Sequence, residues 1–382
     1  MVKSLLFIGG GVETVCALGH AKSLGYDVYV TDRNSESPGV KWAKKHGAGW
    51  GIADTYSSTD TLEIAKDWPI DGVIAVGCDV GPVVSNVANV LRLPHTPCAA
   101  SDYGWYKDEL KSLLTKKNGM NVPVAPRPCK EKGKYIVIKP IAGRGARGVY
   151  RILDTDPNFD SWCVASRKYS PRNKILIEQW VEGPQVSTET LIWNYLCGFT
   201  GMTDRTYSLL TTLAPYVIET GGQGPSIYEE TNSAKEIRSL IQRVVDNLGI
   251  KNGTIKCDIV LNEEKDYEPT LIECAIGRMS GGYMCSHYIP LSYGVDFLAG
   301  AFSIACGESP DLAIIREKRF THGVYEMPSK AKNMTERGKF FLGIGKTREE
   351  ARIQALGVLN ERFVNNSDRS VWLGQIPEQS SG

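Results

Sequence analysis

The sequence lacks an excess of charge, a membrane-length apolar run and a histidine-rich segment. Lysine and arginine number 44 and aspartate and glutamate 43, so the net charge of +1 gives no electrostatic basis for binding nucleic acid or an anionic membrane. No apolar run approaches the roughly 20 residues that a transmembrane helix needs. The 5 histidines have no paired spacing, which argues against a histidine-based zinc site.

Paired cysteines are also lacking. The 10 cysteines are scattered singly, and no CxxC motif occurs. The apolar N-terminal segment, MVKSLLFIGGG, is short and ends in three glycines instead of a small-residue cleavage site. It therefore predicts a first β-strand rather than a signal peptide. Without a secretory signal, we expect reduced thiols and a cytoplasmic protein.

What is present is the composition of an ordinary globular enzyme. Hydrophobic residues make up 42% and charged residues 23% of the sequence. The length of 382 residues predicts two or three domains. Residues 1–97 show strands at 3–8, 26–31 and 71–76 alternating with helices at 12–24 and 81–91. This alternation predicts a parallel α/β domain.

The remainder of the chain predicts a mixture of strands and helices, including one β-hairpin. Pro-rich residues 122–126 predict a linker, and residues 378–382 a disordered tail. The predicted strands are 135–139, 149–153, 175–179, 186–193, 255–261 and 270–276, and the predicted helices are 103–117, 234–248, 295–306 and 347–363.

A glycine turn follows the first strand. Gly9, Gly10 and Gly11 open the sequence GGGVET, which lacks the third glycine of GxGxxG, although Asp32 lies where a ribose-binding acid would. We therefore favour a structural or substrate-contacting turn over NAD binding. An NAD-dependent dehydrogenase would also leave the acidic hairpin downstream unexplained.

That hairpin places one carboxylate in each of two apolar strands. Asp258 lies within GTIKCDIVL and Glu273 within TLIECAI. A carboxylate among Ile, Val and Leu is costly unless something pairs with it. Mg²⁺ is a suitable partner, because proteins usually hold it with one or two carboxylates plus phosphate oxygens.

A lysine and a glycine-rich loop predict a phosphate site upstream. Lys139 ends a strand and precedes the loop IAGRGARGV. Gly143, Gly145 and Gly148 would let backbone N–H groups close over phosphates. The loop leads into a strand, so it is not a Walker A loop, which opens a helix.

Two further segments carry candidate ligand contacts. The strand 175–179 and the turn after it could hydrogen-bond an adenine edge, and Gln185 could reach ribose hydroxyls. Arg278 precedes Ser280-Gly281-Gly282, and a guanidinium beside a glycine turn suits the capture of a carboxylate or phosphate.

In this order, these segments resemble the ATP-grasp superfamily, in its biotin-carboxylase-like and L-amino-acid-ligase branch. The similar segments are WYKDELKSLLTKKNGMNVP, YIVIKPIAGRGARGVYRI, IEQWVEGPQVSTE, TIKCDIVL, LIECAIGR and GIGKTREEARIQAL. The resemblance implies ATP binding by Lys107, Lys139, Gly143, Arg144, Gly145, Gly148, Glu178, Gln179, Val181 and Gln185, metal binding by Asp258 and Glu273, and catalytic roles for Arg278 and Lys139. It implies ATP and Mg²⁺ as cofactors, with Mn²⁺ as a substitute ion.

The chain departs from the family pattern at three positions. Gln185 stands where the family usually has Glu, and an amide can still bond ribose hydroxyls. Ala275 replaces an Asn that usually follows the second metal acid. Arg278 comes one residue later than the usual arginine.

The resemblance also implies an α/β (α+β) ATP-grasp fold. We expect an N-terminal parallel α/β domain at 1–97, a lid subdomain with its linker helix at 98–185, a catalytic subdomain at 186–315 and a small C-terminal subdomain at 316–382. A homodimer is expected by analogy with the fold alone.

The implied activity is that of a carboxylate–amine ligase, which activates a small-molecule carboxylate as an acyl phosphate and joins it to an amine. A bicarbonate-using carboxylase and a non-catalytic ATP-binding regulator stay open as alternatives. Candidate substrate contacts are Arg205, Glu219, Arg278, Ser280 and Gly281.

Overall fold

The computed structural model describes residues 2–116, 124, 126 and 133–365. Its strands form a four-stranded, a three-stranded and a seven-stranded sheet. The first sheet is parallel and the other two are antiparallel. The predicted α/β class is confirmed, including the parallel sheet at the N-terminus. Every helix in the described part of the chain is too short or too polar to span a bilayer.

The N-terminal sheet has the strand order β3-β2-β1-β4. Helices follow each strand, and β1 is buried along its whole length, which explains its continuous apolar sequence. Its elements are β1 (Ser4–Ile8), α1 (Val12–Ser23), β2 (Asp27–Asp32), α2 (Pro38–His46), β3 (Gly49–Ile52), α3 (Ser58–Ala65), β4 (Gly72–Ile74) and α4 (Gly81–Val90). The helices α2 and α3 and the strand β3 were not predicted from the sequence.

The glycine turn after β1 has a structural role. The Gly10 N–H donates to Asp32 Oδ2 at 2.7 Å, and the Asn34 N–H donates to Asp32 Oδ1 at 2.8 Å. A side chain at Gly39 would lie 2.7 Å from the Gly10 Cα. The turn therefore joins β1, β2 and α2, and backbone N–H groups already occupy both carboxylate oxygens of Asp32.

The single helix predicted at 103–117 is wrong. Two helices, α5 (Cys98–Trp105) and α6 (Lys107–Lys116), meet at Tyr106, whose backbone is extended. The break puts Lys107 at the start of α6, where its N–H donates to the Ile141 carbonyl at 2.8 Å. Residue 117 and most of the predicted linker at 122–126 lie outside the described residues.

The three-stranded sheet has the order β6-β5-β7. Lys139 lies near the end of its central strand, and the glycine-rich loop connects β5 to β6. Its elements are β5 (Tyr135–Pro140), β6 (Tyr150–Leu153), α7 (Phe159–Arg167) and β7 (Ile175–Gln179).

The seven-stranded sheet has the order β12-β11-β8-β9-β10-β13-β14. Its strands are β8 (Gln185–Trp193), β9 (Leu196–Thr206), β10 (Gly221–Gly224), β11 (Gly253–Asn262), β12 (Glu268–Ile276), β13 (Phe320–Tyr325) and β14 (Phe340–Gly345). Its helices are α8 (Asn232–Leu248), α9 (Ile289–Tyr293), α10 (Phe297–Ala305) and α11 (Arg348–Asn365). The predicted hairpin is confirmed as β11 and β12. Strands β13 and β14 extend the same sheet, and the domain boundaries stay a prediction; residues 378–382 lie outside the described part.

One hydrophobic core joins the N-terminal sheet to the seven-stranded sheet. Phe302 of α10 is fully buried and makes an edge-on contact with Phe7 of β1 at 6.0 Å between ring centroids. Tyr26 contacts the same ring at 5.9 Å. The N-terminal sheet is therefore anchored against α10, which fixes its loops over the carboxyl-bearing hairpin.

Candidate active site

A cavity of about 870 Å³ lies where the three sheets meet. The structure brings all the predicted site residues except Gly148 into its wall. Those residues are Lys107, Lys139, Gly143, Arg144, Gly145, Glu178, Gln179, Val181, Gln185, Arg205, Glu219, Asp258, Glu273, Arg278, Ser280 and Gly281.

Asp258 and Glu273 face each other across the hairpin. They are direct partners in the antiparallel register of β11 and β12, which shifts just after Asp258. Side chains of directly opposed residues lie on the same face of a sheet. The hairpin therefore presents both carboxylates to the cavity at one place.

Asp258 is held ionised by its neighbours. Its carboxylate accepts a hydrogen bond from the Ser187 hydroxyl and forms an ion pair with Lys256. Burial alone would raise its pKa, but the charges of Lys256 and Arg205 lower the pKa to about 2. Asp258 is therefore an anion across the physiological pH range.

Glu273 is also held as an anion. Lys107 Nζ lies 3.5 Å from Glu273 Oε2, and 33% of the Glu273 side chain remains exposed toward the cavity. Burial would raise its pKa, but the charges of Lys107 and Lys256 lower the pKa below the ordinary glutamate value.

This donor set fits a hard divalent cation that is completed by a ligand. Both side chains offer carboxylate oxygens, which Mg²⁺ and Mn²⁺ prefer. Among the described residues, no group of three or more His, Cys, Asp or Glu side chains is arranged to hold a metal. A cation held here would therefore take its remaining oxygens from a bound phosphate or from water.

A buried cluster of two lysines and one glutamate lies beside the carboxylate pair. Only 1% of the Glu178 side chain is exposed; its carboxylate lies 2.6 Å from Lys139 Nζ and also pairs with Lys111. Burial opposes both lysine charges. The pKa of Lys139 is nevertheless raised by Glu178, while burial and the charge of Lys139 lower the pKa of Lys111 to about 7.

The Glu178 carboxylate is thus engaged by lysines, and the predicted adenine contact of this residue stays a prediction. Lys111 was not predicted from the sequence as a residue of this site. Its signal was its position one helical turn after Lys107 in α6, which places both lysines on one helix face.

The glycine-rich loop contacts the C-terminal part of the chain. Gly145 has a φ of 62°, its carbonyl accepts from the Met334 N–H at 2.9 Å, and a Cβ there would lie 2.8 Å from Thr335. Gly148, with a φ of 74°, packs against Pro140 and Tyr169 instead of lining the cavity. Both glycines are needed for the path of the loop.

The predicted adenine edge follows β7. Gln179, Val181 and Gln185 line the cavity. The Gln179 N–H donates to the Pro126 carbonyl and the Trp180 N–H donates to the Tyr135 carbonyl, both at 2.9 Å. These bonds fix the strand that forms this wall.

Pairs of arginine and carboxylate side chains also line the cavity. Glu219 Oε2 lies 2.6 Å from an Arg205 nitrogen and 3.0 Å from an Arg337 nitrogen. Arg278 pairs with Asp79, which follows β4 of the N-terminal sheet. Asp79 and Arg337 were not predicted from the sequence, because their partners lie far away in the chain.

The buried carboxylate of Glu189 and the half-buried carboxylate of Glu13 hold the turn at residues 280–283. Glu189 accepts from the Ser280 N–H at 2.8 Å and from the Ser280 hydroxyl. Glu13 accepts from the Gly282 N–H at 2.7 Å and the Tyr283 N–H at 2.8 Å. Burial raises the pKa of both carboxyls, that of Glu189 to about 7. The Ser280 hydroxyl, predicted to contact substrate, is directed to Glu189.

A comparison with protein families identifies the region that holds most of these residues. A sequence model described as an ATP-grasp domain matches residues 107–275. Residues 107–275 form an ATP-grasp domain. The match confirms the predicted superfamily, and the matched range contains Lys107, Lys139, Asp258 and Glu273. No curated protein matches the sequence with significant similarity.

Solved structures show the same fold over nearly the whole chain. Phosphoribosylglycinamide synthetase from Anaerococcus prevotii is 15% identical with a TM-score of 0.71, covering 94% of this chain and 98% of its own. L-amino acid ligase from Bacillus licheniformis is 20% identical with a TM-score of 0.70, covering 94% and 97%. The biotin carboxylase domain of Hydrogenobacter thermophilus 2-oxoglutarate carboxylase is 16% identical with a TM-score of 0.67, covering 85% and 74%. The predicted ATP-grasp fold is confirmed.

The lysine–glutamate cluster predicts a stability difference between two variants. Glu178→Gln would leave Lys139 and Lys111 buried without a counter-charge, and we expect the free energy of unfolding to fall by about 3–5 kcal/mol. Lys111→Met keeps the Glu178–Lys139 pair, so its loss should be smaller. Chemical denaturation of both variants measures the difference in the free energy of unfolding. Equal losses of this free energy would contradict the role of Glu178 as the counter-charge that stabilises both lysines.

Proposed function

We propose that the protein is an ATP-dependent carboxylate–amine ligase that activates a small-molecule carboxylate as an acyl phosphate. The observation that carries the proposal is the convergence of Asp258, Glu273, Lys107 and Lys139 on one cavity, whose wall also includes Arg205 and Arg278. The first group suits a triphosphate and its cation, and the arginines suit a carboxylate.

The side chains divide the work of phosphoryl transfer between them. Lys107 and Lys139 would neutralise the phosphates as point charges. A Mg²⁺ ion held by Asp258 and Glu273 would neutralise charge on the β- and γ-phosphates when bound. Transfer to a carboxylate needs positioning and charge stabilisation more than a protein nucleophile.

The arginines of the cavity wall would bind the acceptor. Arg278 and Arg205 would orient the carboxylate, whose oxygen attacks the γ-phosphorus as the bond to ADP breaks. An amine then attacks the acyl carbon, the C–N bond forms, and phosphate leaves with the C–O bonding electrons while the amine loses a proton. Glu219 lies 2.6 Å from Arg205 and would hold that guanidinium in position.

The glycine-rich loop would protect the intermediate. Acyl phosphates hydrolyse when water enters, so a loop that covers the phosphates supports transfer to the amine. The contact between Gly145 and Met334 ties this loop to the C-terminal part of the chain. Closure would then depend on both segments.

The names of the structural neighbours support ligase chemistry and leave one rival. Two neighbours are a phosphoribosylglycinamide synthetase and an L-amino acid ligase. The biotin carboxylase domain was solved with magnesium ADP and bicarbonate. We therefore propose ATP and Mg²⁺ as cofactors. The experiment must distinguish the ligase from a bicarbonate-using carboxylase, which is the alternative activity.

The activity is tested by a panel of carboxylic acids. Purified protein with Mg²⁺ and ATP is given each acid, with and without hydroxylamine, and ADP, phosphate and hydroxamate are measured. We expect one acid to give hydroxamate, because hydroxylamine traps an acyl phosphate. Turnover with bicarbonate alone would identify the carboxylase, and nucleotide binding without any turnover would favour the regulator.

Two substitutions test the site. Glu273→Ala and Lys139→Ala should each lower turnover by about 10²–10³-fold, the cost seen when a group that stabilises transition-state charge is removed. The matched controls are Glu236→Ala and Lys251→Ala at exposed positions, which should keep normal turnover. Near-normal activity in either site variant would contradict the proposed roles.

A further inference from the structure

A buried lysine that the resemblance does not assign lies beside Asp258, one of the two predicted metal ligands. Lys256 precedes Asp258 by two residues on β11, so both side chains lie on the same face. Its side chain is 8% exposed, lines the cavity and pairs with Asp258. The charge of Lys256 also acts on Glu273.

The register of the sheet explains why a long side chain fits there. Lys256 is directly opposite Ala275 on β12 and opposite Glu189 on β8. Ala275 has only a methyl group, which offers no oxygen ligand and leaves room for a lysine side chain. Glu189 supplies a second negative charge nearby, and its Oε2 atom has no hydrogen-bond partner among the described residues.

Each carboxylate of the pair thus has its own lysine. Asp258 has Lys256, and Glu273 has Lys107 at 3.5 Å. Sites for phosphoryl transfer often hold two divalent ions that share phosphate oxygens. Here a second ion would have to lie beside the Lys256 ammonium and would gain no ligand from residue 275.

We propose that Lys256 is a fixed cation that takes the place of a second divalent ion, so that the bound triphosphate is served by one divalent ion and one ammonium group. This inference rests on the proposed nucleotide site at Asp258 and Glu273, but it is independent of which carboxylate and amine react. Lys256 would then determine how many divalent ions bind with each nucleotide.

The test counts Mn²⁺ ions per bound nucleotide. Wild-type protein is titrated with Mn²⁺ in the presence of β,γ-methylene-ATP, and electron paramagnetic resonance measures free and bound Mn²⁺. We expect one bound ion per bound nucleotide and the spectrum of an isolated Mn²⁺. Two ions that share a phosphate would instead show magnetic coupling.

Variants of the lysine and its cross-strand neighbour sharpen the test. Lys256→Arg and Ala275→Asn should each keep one ion, because the fixed charge remains. The double variant Lys256→Ala with Ala275→Asn removes the charge and supplies an oxygen ligand, so the count should rise from one to two. Lys251→Ala is the control for loss of a lysine elsewhere, and thermal denaturation shows which variants are folded.

The outcomes separate this inference from the proposed function. Two coupled Mn²⁺ ions in the wild-type protein would overturn the role of Lys256 while supporting the nucleotide site. A folded double variant that still binds one ion would overturn it as well. Failure of the wild-type protein to bind nucleotide would overturn the proposed function and this inference with it.

Discussion

The pairing of β11 with β12 is the constraint on which the rest of the site depends. It sets Asp258 directly opposite Glu273 within a largely apolar hairpin. Two carboxylates so placed repel each other and lose most of their hydration, so the fold must supply positive charge close by. Lys256 and Lys107 supply it, and Ser187 adds a hydrogen bond.

The same need for compensation shapes the whole cavity. All three sheets contribute to the wall, and most charged groups there already have a partner of opposite sign. Lys139 shares Glu178 with Lys111, and Arg278 has Asp79. Such a cavity suits a highly charged ligand. The phosphates and the cation of that ligand can replace the present partners of side chains that the fold already holds in position.

The sequence predicted the parts of the site that depend on local pattern. The hairpin alternates apolar and charged residues, and the loop around Gly145 has the glycines that its left-handed backbone requires. Groups whose role depends on long-range register were missed, including Lys256 and Lys111. Lys256 could be placed on the face of Asp258 from its spacing, but its position opposite Ala275 requires the pairing of strands. The break at Tyr106 was missed because no glycine or proline marks it.

We propose that Asp258 and Glu273 together hold the cation of a bound nucleotide. A crystal structure with Mn²⁺ and a non-hydrolysable ATP analogue, with Mn²⁺ located from its anomalous scattering, would test this role. We expect an anomalous peak within bonding distance of both carboxylates and of a phosphate oxygen, with the triphosphate alongside Lys139. A nucleotide whose phosphates and Mn²⁺ lie away from both carboxylates would contradict the proposed role of this pair.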